Sequence, residues 1–204
     1  MKLLGTNTSP YVRKARLVLL EKNIPHTYVI DPPSEPNSLV AQVNPLGRIP
    51  ALILDDGTCI FDSTVITSYV DTLNDTPILI PRHDAMARMR VKRWEALADG
   101  IMDSAIVVRN ERLRHTDKQE RSNIELHSLA ITRALAHATT QLGQSRWCAG
   151  DSVTLADLAL VSALIYLDLR LPELDWRTTY PPLSAWFNRA SARSSVQTSL
   201  KETA

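Results

Sequence analysis

Near residue 80 the chain changes grammar. Before that point short apolar runs alternate with helix-period patterns; after it the pattern is helical throughout. The segment 76–84 between them carries Pro77 and Pro81, neither of which can continue a helix or complete a sheet ladder. A sequence of this kind builds a small sheet covered by helices and then a helical bundle. The reading is an α/β domain over residues 1–80 followed by an all-α domain over 85–204.

Within the first part, residues 2–5 read as a short strand. Ser9-Pro10 opens a helix carrying Val12, Ala15, Val18 and Leu19 at helical spacing. Residues 26–30 read as a second strand, and Pro32, Pro33 and Pro36 force a loop after it. Residues 38–43 form a short helix. The runs 51–54 and 59–61 flank Asp55-Asp56-Gly57, a hairpin signal. Asp62 or Ser63 then caps a helix ending near Leu73. The predicted order is β-α-β-α-β-β-α. In the second part, Trp94, Leu97, Ala98, Ile101, Ala105 and Val108 make one apolar stripe. Ile124, Ile131, Ala134, Leu135, Ala138 and Leu142 make another, residues 155–169 form a central buried helix, and a last helix follows Pro181-Pro182.

Composition closes off several function classes. A net charge of +1 over 204 residues offers no field for nucleic acid or a membrane surface. Cys59 and Cys148 make no CxxC pair, and the start of the chain is too polar for a signal peptide, so a cytoplasmic protein is expected. The five histidines form no close-spaced ligand set, so no metal is expected. No G-x-S-x-G turn suggests a serine hydrolase.

Three segments of the first part carry chemistry. In Thr8-Ser9-Pro10-Tyr11-Val12-Arg13-Lys14, proline suits the first helical position and serine the cap. Ser9 either does no more than cap or offers its hydroxyl to an anion at the helix start. Thr8 is a rival hydroxyl. In Asn44-Pro45-Leu46-Gly47-Arg48-Ile49-Pro50-Ala51, the Ile49-Pro50 bond is either a trans loop exit or a cis turn. A cis turn leaves the Ile49 backbone groups to pair with an extended peptide. In Phe61-Asp62-Ser63, the acid and the hydroxyl either cap the next helix or receive an ammonium and a carboxylate.

In order, spacing and flanking elements these segments resemble the glutathione S-transferase family over nearly the whole chain. The segments are S-P-[YF]-x-x-[KR], N-P-x-G-x-[IV]-P and [ED]-S before a helix. The run from Trp147 to Asp157 looks like that family's helical capping box, with Thr154 and Asp157 as a structural pair.

The resemblance implies a thioredoxin-like first domain, a helical-bundle second domain and glutathione as cosubstrate. Ser63 and the helix start would hold the γ-glutamyl carboxylate, and Asp62 the amino group. Ile49 would pair with the cysteinyl backbone, with Pro50 cis. Ser9 would donate to the sulfur, and Arg48 is a candidate for the glycyl carboxylate. It also implies a homodimer, and an electrophile pocket walled by the helix around residues 94–108.

A serine where a cysteine would form mixed disulfides favours conjugation of a small hydrophobic electrophile, or peroxide reduction, over disulfide exchange. Cys59 reads as a core residue. A glutathione-dependent isomerase or dehalogenase and a non-catalytic interaction protein are the alternatives. Asp62 stands where glutamate is commoner, and loop 32–37 has no lysine; both departures suggest modest glutathione affinity.

Overall fold

The computed structural model describes residues 1–201. Its contacts divide into two compact units. One is Met1–Pro81 together with the segment that begins at Arg193; the other is Arg82–Ala192.

The first unit holds β1 (Lys2–Gly5), α1 (Pro10–Glu21), β2 (Thr27–Ile30), α2 (Leu39–Val43), β3 (Ala51–Ile53), β4 (Cys59–Ile60) and α3 (Ser63–Thr72). The β-α-β-α-β-β-α order is the predicted one. The sheet order is β2-β1-β3-β4, with β1 parallel to β2 and antiparallel to β3, and β3 antiparallel to β4. Strands 3 and 4 end sooner than the sequence suggests, since Leu54 and Phe61 fall outside the ladder. Leu4, Val40 and Ala51 form a buried cluster, and Val29, Val43, Ile49, Ile53 and Cys59 pack on it. Cys59 is therefore a core residue, as expected, and burial pushes its thiol pKa up.

Three polar anchors hold this unit. Lys22 ends α1 fully buried; its Nζ donates to the Asp71 carbonyl at 3.0 Å, to Asn74 O at 2.7 Å and to Pro77 O at 2.7 Å. It also pairs with Asp71 Oδ1 at 3.3 Å, while the Asp71 carboxylate receives Leu79 N–H at 2.8 Å and Ile80 N–H at 3.2 Å. Asp31, eight residues before α2, receives the N–H groups of Leu39 and Val40 at 3.2 and 2.7 Å. It does the capping that Ser38, the cap by position, does not. Glu21 on α1 takes two bonds from the Arg193 guanidinium, at 2.7 and 2.6 Å, and one from the Ser195 hydroxyl. These bonds bring the last helix, α9 (Ser194–Lys201), back to the first unit.

The second unit is helical. Its long elements are α4 (Ala85–Arg112), α5 (Arg121–Leu142) and α6 (Leu155–Arg170); α7 (Trp176–Thr179) and α8 (Pro181–Ser191) follow. The stripe on α4 buries Trp94, Ala98, Ile101, Ala105 and Val108, and α6 is buried from Leu155 to Leu167. Asp84 caps α4 by accepting from Met86 N and Ala87 N, both at 2.9 Å. Asp157 receives the N–H and hydroxyl of Thr154 at 2.9 and 3.0 Å, and the N–H of Cys148 at 2.8 Å. Burial raises the Asp157 pKa. The sequence reading of one last helix becomes two, because α8 stops at Ser191 and α9 starts at Ser194.

Candidate functional site

The register of the sheet gathers the three segments. Leu4 lies opposite Ala51, and Leu52 opposite Ile60. The carboxyl end of β1, the start of β3 and the end of β4 therefore share one edge. Ser9, Ile49-Pro50 and Asp62-Ser63 each lie within a few residues of that edge. Ligands of open α/β sheets bind outside the carboxyl ends of the parallel strands, which is this edge.

The first segment is shaped by a close approach. A Cβ added to Gly5 would stand 2.5 Å from Val12 Cγ2, so only glycine lets β1 end so near α1. The chain then turns, with Ser9 N–H bonded to Thr6 O at 3.1 Å. Ser9 is the N-cap of α1, in extended conformation, and Pro10 follows as the first helical residue. Its Oγ accepts Val12 N–H at 3.3 Å. The hydroxyl proton donates to no group among the described residues, and the side chain is half-buried. Thr8 is exposed and precedes the cap.

Arg13 is a neighbour of this turn that the sequence reading left unassigned. Its guanidinium donates to the Asn7 carbonyl at 3.1 Å and to the carbonyl and hydroxyl of Ser199, each at 3.1 Å. It thereby ties the turn before Ser9 to α9. Burial, with the charge of Arg16 beside it, lowers the Arg13 pKa to about 10.

The second segment is knotted by Asn44, which is buried. Its side-chain oxygen takes Leu46 N–H at 3.0 Å, its amide donates to Arg48 O at 2.7 Å, and its carbonyl takes Gly47 N–H at 2.9 Å. Gly47 sits at φ +57, a conformation that favours glycine. The Ile49–Pro50 bond is cis, the isomer the resemblance implied. The Ile49 side chain packs on the core, while its backbone N–H and C=O are unpaired among the described residues. The Arg48 side chain is exposed.

The third segment begins α3. Asp62 is its N-cap: one carboxylate oxygen receives Thr64 N–H at 3.0 Å and Val65 N–H at 3.4 Å. The carboxylate is exposed, so its second oxygen is open to a cation. Ser63, the first residue of α3, is 4% exposed, and its hydroxyl has no hydrogen-bond partner among the described residues. A nearly buried hydroxyl without a partner invites a ligand atom.

Chemically, the edge offers two helix starts, one free hydroxyl donor at each, one open carboxylate oxygen and one unpaired peptide group between them. That set matches a short extended peptide carrying both an anion and an ammonium. Among the described residues no group of three or more His, Cys, Asp and Glu side chains is placed to hold a metal ion. None of the helices described is long and apolar enough to cross a membrane.

Comparison with known proteins gives the family. Residues 8–73 match the family model for the glutathione S-transferase N-terminal domain, and residues 123–189 that for the C-terminal domain. The uncharacterized GST-like protein YibF of Escherichia coli K12 is 37% identical over 183 residues, which cover 90% of each chain. A glutathione S-transferase from Methylobacillus flagellatus KT, solved with GSH bound, superposes with a TM-score of 0.94 at 40% identity, covering 97% of this chain and 98% of its own. Rat elongation factor 1-gamma is 30% identical over 149 residues, which cover 70% of this chain but 32% of that protein.

Proposed function

The chain belongs to the glutathione S-transferase family, and from that premise we propose that it binds glutathione along the β1–β3–β4 edge and activates its thiol through Ser9. The observation that carries the proposal is the Ser9 hydroxyl, which accepts from Val12 and keeps its own proton to donate. Neighbouring strands lie about 4.8 Å apart, so the edge from β1 to β4 spans roughly 10 Å. An extended tripeptide is about as long. The sulfur meets Ser9, the cysteinyl backbone pairs with Ile49 beside Pro50, and the γ-glutamyl end meets Asp62 and Ser63. Arg48 is the candidate partner for the glycyl carboxylate.

A free thiol with a pKa of about 8.5 is only a few per cent thiolate at neutral pH. Lowering that pKa by about two requires about 2.7 kcal/mol of preference for the anion. A hydroxyl donating to a charged acceptor supplies roughly 1.5–3 kcal/mol, and the helix start adds ~0.3–1 kcal/mol. Ser9 and α1 suffice without a metal or a base. The gain at neutral pH saturates at about thirty-fold, once all the thiol is thiolate. Further acceleration comes from holding the electrophile against the sulfur. The thiolate then attacks a carbon bearing a leaving group, or a peroxide oxygen.

Its setting in this reading is the cytoplasm, as a homodimer that binds neither nucleic acid nor membrane. A second reading follows from the likeness to elongation factor 1-gamma: a non-catalytic interaction protein. The unpartnered Ser9 and Ser63 hydroxyls favour the enzyme, since an interaction protein has no use for them. An isomerase or dehalogenase would use the same glutathione site with a narrower electrophile.

Calorimetric titration with glutathione separates these readings. The enzyme reading predicts binding in the micromolar to millimolar range, weakened by Asp62→Ala and by Ser63→Ala. Absence of binding in the wild type would move the function to protein partners.

A further inference from the structure

One residue grips the backbone on both sides of Ser9. The Arg13 N–H donates to the Ser9 carbonyl at 3.0 Å, and the Arg13 Nη2 donates to the Asn7 carbonyl at 3.1 Å. Between these two fixed carbonyls, Ser9 N–H closes the turn on Thr6 O at 3.1 Å. The direction in which the Ser9 hydroxyl points is set by this short stretch of backbone, and Arg13 holds it from both ends.

The guanidinium is braced in turn by α9. Its Nη1 donates to the carbonyl and to the hydroxyl of Ser199, each at 3.1 Å. The Ser199 hydroxyl gives its own proton to Val196 O at 2.8 Å, so towards Arg13 it only accepts. α9 runs antiparallel to α1: Arg193 and Ser195 meet Glu21 at the end of α1, and Ser199 meets Arg13 near its start. Ser195, Val196 and Ser199 are the buried residues of α9. Arg13 is 6% exposed and Ser199 3%. An apolar side chain would bury there at lower cost than a guanidinium. What the guanidinium adds is a planar fork with donors in fixed directions, one prong to the turn and the other to the last helix.

We infer that Arg13 is a positioning residue for thiol activation, and that α9 sets its place through Ser199. The inference rests on the reading of Ser9 as the donor to the glutathione sulfur and deepens it. A donor in such a site must be held within about 0.5 Å of its working geometry. Loosening the fork spreads the Ser9 hydroxyl over several directions but leaves Asp62 and Ser63, at the other end of the glutathione site, as they are. Activation of the thiol and affinity for glutathione therefore separate.

The test is the pKa of bound glutathione, from thiolate absorbance, together with its affinity by calorimetry. It is run on wild type, Ser9→Ala, Arg13→Gln, Arg13→Lys, Ser199→Ala and Asp84→Ala. Arg13→Gln is expected to raise the bound thiol pKa by about one, half of the lowering assigned to Ser9 and α1, with little loss of affinity. Ser199→Ala, which leaves the Arg13 charge in place, should raise it by about half as much. Arg13→Lys should behave like Arg13→Gln, because an ammonium is a point charge that cannot bridge Asn7 and Ser199 as the fork does. Asp84→Ala removes the cap of α4, so it lowers stability and leaves the thiol unchanged. Thermal unfolding checks each variant, and Ser199→Ala decides where an Arg13 variant fails to fold. The inference is overturned if Arg13→Gln and Ser199→Ala both titrate like wild type, if Arg13→Lys titrates like wild type, or if Asp84→Ala moves the thiol as far as they do. If Ser9→Ala raises the thiol pKa and the Arg13 and Ser199 variants do not, this inference fails and the Ser9 reading stands. If wild type binds no glutathione, or Ser9→Ala leaves the thiol unmoved, both fall.

Discussion

The Ser9 Oγ accepts the N–H of Val12 at 3.3 Å, so one oxygen both caps α1 and keeps a proton for a ligand. The capping role and the chemical role separate on substitution. Ser9→Ala is expected to lose about 1 kcal/mol of stability with the cap. It should also lose up to about thirty-fold of turnover near neutral pH, the most that thiolate fraction can contribute. Thr8→Ala should change neither. Unfolding curves and turnover of an aryl halide at saturating glutathione check both effects.

Gly5 and Val12 form the second test of that turn. A side chain at position 5 must displace Val12, whose methyl groups stand 2.5 and 2.6 Å from the added carbon. Gly5→Ala should cost about 1–3 kcal/mol by overpacking and shift the start of α1, so turnover falls with stability. Val12→Ala in the same chain should recover part of both. A double-mutant cycle in chemical denaturant measures the coupling.

The buried pair Lys22–Asp71 predicts a larger effect. Asp71→Ala leaves a buried ammonium without its carboxylate and frees the N–H groups of Leu79 and Ile80. The expected loss is about 3–5 kcal/mol. Lys22→Met should cost less in the Asp71→Ala background than in wild type, because no charge is then stranded. Urea unfolding of the four chains reads this directly.

What the sequence exposed and what it hid follow from the range of each interaction. Local signals carried the element order. Ser9-Pro10 and Asp62 cap the helices they precede, and Asp55-Asp56-Gly57 turns the hairpin. The gathering of Ser9, Ile49-Pro50 and Asp62-Ser63 came from resemblance, because strand register is a long-range property that no segment states alone. Asp31 caps a helix eight residues away, and Glu21 is 172 residues from Arg193 in sequence. Neither partner is marked by spacing or residue type. Arg13 and Asn44 stood inside two of the three segments but were given no role of their own. Only the fold shows that one ties the turn before Ser9 to α9 and the other knots the turn before Ile49.

The two cysteines give a pH prediction. Burial raises the Cys59 thiol, and burial together with the adjacent Asp157 raises Cys148 well above its ordinary value. A raised thiol keeps its proton in the fold after the unfolded chain has lost it. The stability it contributes is whole below the unfolded pKa of about 8.5 and is lost as pH rises through the folded value. Thermal midpoints should therefore fall above about pH 8.5 in wild type, and less steeply in a Cys59→Ala, Cys148→Ala chain. Both thiols should alkylate slowly in the native state near neutral pH.

The most direct measurement is the pH titration of thiolate absorbance for glutathione bound to wild type and to Ser9→Ala. The account predicts that wild type brings the bound thiol below the free value of about 8.5. The Ser9→Ala chain should still bind glutathione and return the thiol towards that value. Identical titrations in the two proteins would contradict the assignment of Ser9.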